Sequence, residues 1–576
     1  MQVSAKADPA PANRADGRVP IVIGIAADSI TANPDALPAA VKAQCEELRS
    51  RYKHSPFLIL SGLAEEADRT AVRLARDLLG ASLIAVLPMA REAFETEAPT
   101  PAERAEMGAL LGAAEAVLEL GGSGFTKAAA TIAEHAQILI VLAKAGAPGK
   151  ASDAVEWFCR GLAPNRFSFY AGQLSPLDPP EPGLLIRIDP ETGEQSRQIT
   201  KSREQLDSNI EQILAETDRF NGSVLANTSR MGKNYPLLGG LISQDEAVRA
   251  RAEGLAAGVA MVRAVYDAAD TVAVRFAGQV RVLDQCVYGA AVVAFAIFAL
   301  MSEAPYLAIV YFILAGIMLA AWVYVSRTAL DNRFLEYRAL AEAMRVLFFW
   351  RLAGVKRASW LSYLPKHAGV VTWVRHAVRA VEFRQNASGR LLPEPGADGV
   401  TAARAEWIGS QTEYYQKRRR EHEISGRRWR AFSHSSLYLS YALACVLVLC
   451  VAYCVQQRGL DAITDWKGNT IFTITATSLA NIMQIALGIA AAIGIAARGY
   501  LQRRADEELV KQYSAALHIF SIAKRELEEA DAALRNGTEP DWPHAATLER
   551  LGIEALTEHG EWLILRHSRP FELPQQ

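Results

Sequence analysis

The chain has 576 residues, 51% of them hydrophobic and 22% charged, and its 61 Lys and Arg nearly balance 63 Asp and Glu. That length exceeds one ordinary domain, and the apolar content excludes a disordered or tail-like polymer and leans toward a membrane protein. A net charge of −2 gives no electrostatic reason to expect nucleic acid as a partner.

Residues 1–18, rich in Ala, Pro and charge and without an apolar run, read as a disordered leader starting in the cytoplasm. From Ile21 short apolar runs alternate with amphipathic stretches. Residues 21–25, 57–60, 83–87, 116–120, 138–142 and 184–188 predict buried strands, and residues 36–53, 64–80, 102–111, 126–135 and 152–160 predict helices. This alternation predicts an α/β domain over 19–200, a doubly wound, mainly parallel sheet with helices on both faces. Ligands of such sheets sit beyond the carboxyl ends of the strands, where amides at a helix N-terminus hold an anion. The six cysteines, Cys45, Cys159, Cys286, Cys445, Cys450 and Cys454, are too scattered for a disulfide framework or a zinc site, so they read as reduced and inert and no metal is expected.

Leu60-Ser61-Gly62-Leu63-Ala64-Glu65-Glu66-Ala67-Asp68-Arg69, then Leu87-Pro88-Met89 and Phe94, resembles the SLOG superfamily (Smf/DprA, LOG and the TRPM channel N-terminal module) over about Ile21 to Asp189. The resemblance implies a Rossmann-like domain binding a nucleotide-derived molecule, of ADP-ribose or cyclic-nucleotide type. It points to Gly24, Ala26, Asp28, Ser61, Gly62, Leu63, Asp68, Arg69, Pro88, Gly149, Lys150, Ser152 and Glu156 as candidate ligand contacts. Ser61 and Gly62 read equally as a tight strand-to-helix turn, and Asp68 as a carboxylate bonding loop amides. The chain departs from the family where the first strand runs into Gly24-Ile25-Ala26-Ala27-Asp28 and where Pro148-Gly149-Lys150-Ala151-Ser152 lacks two glycines and the threonine of the LOG motif. Fewer glycines mean less backbone approach to a phosphate, which opposes an N-glycosidic hydrolase with Glu156 as general acid or base. No catalytic residue is assigned.

Residues 201–244 lose periodicity and read as a linker, and 245–284 as a long stalk helix. Uncharged runs 285–302, 304–326, 431–457 and 468–497 predict four transmembrane helices in two hairpins, 285–326 and 431–497. Arginines and lysines flank the runs at Arg275, Arg281, Arg327, Arg333, Arg338, Lys417 to Arg420, Arg427, Arg428, Arg430, Arg498, Arg503 and Arg504. The tips hold only Glu303 in the first hairpin and Arg458, Lys467, Asp461 and Asp465 in the second. The tips therefore face outward, and the α/β domain, the 327–430 helical region and the 498–576 tail are cytoplasmic, at a bacterial inner membrane. Lys417 to Arg420 read as a topology signal or an anionic-lipid site. Each hairpin is followed by an amphipathic helix, which suggests a duplication, and the first hairpin resembles two-span SLATT effectors.

In the fourth run Thr473, Thr477, Asn481 and Gln484 recur at helical spacing, continued by Gly488 and Ala492. Polar groups in hydrocarbon need a partner, so this stripe faces another helix or lines a pore in a homo-oligomer. With no charge inside the runs, a proton pump or ion-coupled transporter is opposed. These features predict an effector that opens or disrupts the membrane on sensing a nucleotide-derived signal, by association in antiviral defence. The alternatives are a scaffold with a degenerate α/β domain and a membrane-anchored nucleotide hydrolase.

Overall fold

The computed structural model describes residues 2–3, 16–28, 33–97, 100–121, 124–144, 149, 151–160, 182–200, 209–228, 254, 258–301, 304–362, 372–388, 397–457, 463–464, 470–472, 476–540 and 543–567. Lys150, Thr473 and the tip residues Glu303, Arg458, Asp461, Asp465 and Lys467 lie outside them. Two compact units emerge: Met1–Ala273 with Glu336–Gln411 and Ile519–Ile564, and Val274–Leu335 with Thr412–His518 and Leu565–Gln576. Their boundaries fall inside helices rather than in loops.

The first unit is built on a mostly parallel sheet of strands β2 (Ile21–Ala27), β3 (Phe57–Ser61), β4 (Ser82–Leu87), β5 (Ala116–Glu119), β6 (Ile138–Leu142), β7 (Leu184–Ile188) and β8 (Gln195–Ile199). The order is β5-β4-β3-β2-β6-β7-β8, with β8 antiparallel and a two-residue strand β1 (Gln2–Val3) antiparallel on β5. Near-continuous Ile, Val and Leu suit strands covered on both faces. The six expected strands are present. Two differences stand out: Gln2 and Val3, expected in a disordered leader, pair with Glu119 and Leu118, and β8, all exposed, was invisible to a search for apolar runs.

Helices α1 (Ala36–Arg51), α2 (Glu66–Leu79), α3 (Arg91–Thr96), α4 (Pro101–Ala113), α5 (Gly124–His135) and α6 (Ser152–Arg160) connect the strands. The segment expected as a linker holds helix α7 (Ile210–Leu225), which buries Ile213, Leu214, Phe220 and Val224. Its Asn221 amide donates to Val19 O and its Oδ1 accepts from Val19 N, both at 2.8 Å, so it ties the helix to the chain entering β2.

After α8 (Ala260–Leu300), α9 (Leu307–Thr328), α10 (Leu330–Leu352) and the short α11 (Ser359–Ser362) comes α12 (Thr372–Ala387), buried along nearly its whole length. Ala380, Phe383 and Ala387 join Val22, Leu58, Leu60, Ile84, Leu118, Ile132 and Leu139 in one apolar core with α5 and α6. Phe383 stacks on His135 with ring centroids 4.1 Å apart, and Arg384 grips the Glu115 carboxylate through two 2.8 Å bonds. A segment lying between the two apolar hairpins thus completes one face of the sheet. Burial holds the His135 imidazole well below its usual pKa, helped by Arg379.

The remaining helices are α13 (Ala397–Ala402), running through a π-helical turn (Ala403–Gly409) into α14 (Ser410–Gln457), then α15 (Ala476–Arg504), α16 (Asp506–Arg535) and α17 (His544–His567). A two-residue strand β9 (Ile463–Thr464) pairs with β10 (Thr470–Phe472) between α14 and α15. Within the first unit Phe349 stacks on Trp407, Trp407 meets Phe520 edge-on, and Trp350 Nε1 donates to Leu548 O at 2.9 Å. A polar knot lies in the same unit: Arg338 pairs with Asp270 at 2.7 Å and with Glu342 at 2.5 Å, while Arg345 binds Glu342 and the Tyr266 hydroxyl.

Among the described residues four helices are long and apolar enough to cross a membrane: α8, α9, the run from α13 into α14, and the run from α15 into α16. Helices α14 and α15 pack through Ser433, Ser436 and Ser440, whose hydroxyls donate to the carbonyls of Gly494 (3.0 Å), Ala490 (2.7 Å) and Leu487 (3.5 Å). A Cβ on Gly494 would lie 2.8 Å from Leu437, so the close approach needs glycine there.

Candidate functional site

Strand order reverses between β2 and β6, and a parallel sheet opens a crevice beyond the carboxyl ends at such a point. Asp28, the residue after β2, lies there. Its backbone N–H donates to Leu142 O at 3.1 Å, and its Oδ1 accepts from Ala151 N at 2.8 Å. Ala151 directly precedes α6, so the carboxylate sits at that helix's N-terminus, where amide dipoles favour negative charge. Gly149 N–H donates to Ser152 Oγ at 2.9 Å, and Ser152 N–H returns to Gly149 O at 3.0 Å. A Cβ on Gly149 would run into the Asp28 carboxyl, which is why the loop carries glycine. Asp28, Gly149 and Ser152 therefore form one linked group, with the chain's own carboxylate at the helix end.

Gly24 has a packing role: a Cβ would lie 2.8–3.0 Å from Ile132, Leu139 and Ala136, so its absence lets α5 settle on β2. Ala26 is in register with Val141 across the β2–β6 pair.

Ser61 ends β3, and its hydroxyl accepts from Leu63 N at 3.2 Å; the helix cap is Glu65 instead. Gly62 is partly exposed. Leu63 has a φ of +54° and a fully buried side chain. A left-handed leucine costs about 1 kcal/mol, which burial of its side chain offsets. Only its backbone faces the turn. Glu65 and Asp68 form a reciprocal capping box at the start of α2, with Asp68 Oδ2 accepting from Glu65 N at 3.3 Å. Burial pushes the Asp68 carboxyl up to about 7 against the lowering effect of the Glu65 amide.

Arg69 is 2% exposed and turns toward α4, pairing with Glu103 at 3.0 Å and Glu106 at 3.1 Å. Sequence reasoning missed those two acids, although their spacing of three residues on a predicted helix was the available signal. Pro88 is buried behind β4. Glu156 is 51% exposed and pairs with Arg160 one turn on. The candidate residues thus fall into two neighbouring groups on one edge, Asp28 with Gly149 and Ser152, and Ser61 to Asp68. Arg69 and Glu156 are engaged elsewhere. Among the described residues no cluster of His, Cys, Asp and Glu could hold a metal ion.

Of the stripe in the fourth run, Thr477 lies in the first turn of α15, Asn481 and Gln484 are exposed, and a Cβ on Gly488 would lie 3.5 Å from Phe295 of α8. The serine contacts with α14 use the opposite positions, Leu487, Ala490 and Gly494. The expected stripe is therefore separate from the packing seam of its own hairpin.

No family model, curated protein or solved structure matches this chain. Fold and site define a mostly parallel α/β sheet domain with a strand-order reversal at its carboxyl edge, in a chain that among the described residues also has four helices long and apolar enough to cross a membrane.

Proposed function

We propose that this chain is a multi-pass effector of the bacterial inner membrane, whose SLOG-like domain senses a nucleotide-derived molecule and whose spans open or disrupt the bilayer in conflict defence. The supporting observation is the conjunction, in one chain, of a strand-order reversal in a mostly parallel sheet with four candidate spans among the described residues. A ligand that prefers one arrangement of the domain biases the spans by population shift. Asn481 and Gln484, exposed on a single chain, then line a path between copies. The test is ion flux from proteoliposomes presented with ADP-ribose-type and cyclic nucleotides. Flux evoked by one of them, and lost in Gly62→Trp and Gln484→Leu while oligomer size holds, supports the reading; a ligand that binds without evoking flux overturns it.

A second reading, a scaffold whose α/β domain takes no ligand, is favoured by one feature. The Asp28 carboxylate already accepts from the amide before α6 that a phosphate would use. A domain that binds no member of the nucleotide set while the chain still assembles supports this reading. The hydrolase alternative draws least support, because Glu156 is solvated and paired with Arg160.

A further inference from the structure

We propose that the four candidate spans carry a collar that binds anionic phospholipid headgroups, to which each helix contributes one arginine. The inference rests on the reading that these helices cross a bilayer. Arg281 of α8, Arg327 of α9, Arg428 of α14 and Arg498 of α15 are exposed, and none has an ion-pair partner among the described residues. Nearby arginines differ. Arg430 pairs with Glu507 at 2.6 Å, Arg503 with Asp284 at 3.6 Å, and Arg504 with Asp506 at 3.2 Å. Those acids are taken, and among the described residues the guanidinium groups of Arg281, Arg327, Arg428 and Arg498 have no carboxylate partner.

Aromatic side chains independently mark the level. Tyr288 of α8 meets Tyr500 of α15 at 5.6 Å, and Tyr500 meets Trp429 of α14 at 5.0 Å. The contact of Phe298 with Tyr311 at 5.9 Å sets the register of the antiparallel pair α8 and α9, so Trp322 and Tyr324 fall opposite Val287 and Gln285. Trp322 and Tyr324 are 38% and 55% exposed. Every span therefore places a Trp or Tyr at one height, as amphipathic rings do at a membrane interface. At a rise of about 1.5 Å per residue, Arg428 and Arg498 lie within about 3 Å of that height and Arg281 and Arg327 about 10 Å to its polar side. Guanidinium groups on flexible stems cover such a distance and bind phosphate in bidentate fashion.

The run Lys417 to Arg420 does not share this position. It lies roughly 14–18 Å from Trp429 along α14, and Arg418 and Arg419 pair with Glu421 and Glu423. The headgroup contact belongs to the collar.

The experiment uses the full chain in nanodiscs of equal phosphatidylcholine and phosphatidylglycerol, with the annular lipid quantified by mass spectrometry. Wild-type protein retains phosphatidylglycerol preferentially, and each Arg→Gln change at 281, 327, 428 or 498 lowers that preference by up to roughly fivefold, from about 1 kcal/mol per basic residue near an anionic surface. The combined variant shows no preference, while Lys417→Gln/Arg420→Gln keeps it. Wild-type protein without preference, or the Lys417/Arg420 variant losing as much as the collar variant, overturns the proposal. Carbonate extraction separates the two readings. Retention of the combined variant in the membrane shows that the spans stand without the collar, whereas release of wild-type protein overturns both.

Discussion

The Asp28 carboxylate and the Ala151 amide, 123 positions apart in the chain, meet in a 2.8 Å hydrogen bond that ties the end of β2 to the start of α6. The same carboxyl fills the space a side chain on Gly149 would need. This relationship makes the strand-order reversal a closed polar joint and sets the terms for any ligand there.

Asp28→Ala should lower stability by about 1–2 kcal/mol, the usual worth of a helix-end bond. Gly149→Ala should cost about 1–3 kcal/mol through overpacking. In the double variant the clash partner is gone, so the two losses should sum to more than the loss measured together. Thermal unfolding of the four proteins in one detergent checks this, and strict additivity would show that the side chains at 28 and 149 do not interact.

At Gly24 an added methyl meets Ile132, Leu139 and Ala136 at 2.8–3.0 Å. Gly24→Ala should destabilise the α/β domain by about 1–3 kcal/mol, and hydrogen exchange should quicken in β2 and α5. A silent substitution would show that α5 can shift without loss.

Burial raises Asp68 in the folded chain to about 7, from 3.8 when exposed. The folded state therefore holds a proton that the unfolded state has released between pH 4 and 7, and stability falls as pH rises through that window. Asp68→Asn should flatten this dependence and gain on wild type as pH rises from 4 to 7. Melting temperatures taken across that range for both proteins decide it; parallel curves would contradict the shift.

Burial opposes the charge on Glu342, yet Arg338 and Arg345 outweigh it and hold the carboxyl at about 2. Its contribution is present above pH 4.5 and is lost as pH falls toward 2. Glu342→Gln leaves the Arg345 guanidinium without its carboxylate and Arg338 with Asp270 alone, and should cost about 3–5 kcal/mol at neutral pH. Burial also lowers His559 to about 4. The folded state then rejects a proton the unfolded state accepts, so stability drops as pH falls from 6.5 to 4, and His559→Gln should remove that drop in pH-dependent melting.

Gly494→Ile should separate α14 from α15, because a Cβ there would lie only 2.8 Å from Leu437. Ser433→Ala removes one interhelical bond, worth about 0.6–2 kcal/mol, and should do less. Crosslinking between cysteines introduced at Ser436 and Ala490, which face each other across the same seam, measures the difference, and equal efficiencies in the two backgrounds would place the seam elsewhere.

Strands 21–27, 57–61, 82–87, 116–119, 138–142 and 184–188 were legible in the chain because both faces of each are covered, so each reads as an unbroken apolar run. The four candidate spans were legible for a similar reason: hydrocarbon demands about 20 uncharged residues in sequence. Tertiary structure decided what depends on distant partners. Helix α12 carries arginines and a glutamate among its apolar residues, and only its docking on α5 and β5 shows Phe383 completing the sheet's core. Helix α7 hid within a stretch broken by Asn221 and Gly222, both of which serve a partner, Asn221 at Val19 and Gly222 beside His54. At the candidate site the sequence placed Asp28, Ser61 and Gly149 at one edge, since strand ends align in a parallel sheet. Which carboxylate sits at the helix end, and which guanidinium turns away to α4, follows from side-chain geometry across more than thirty residues of chain, and local periodicity carries no record of it.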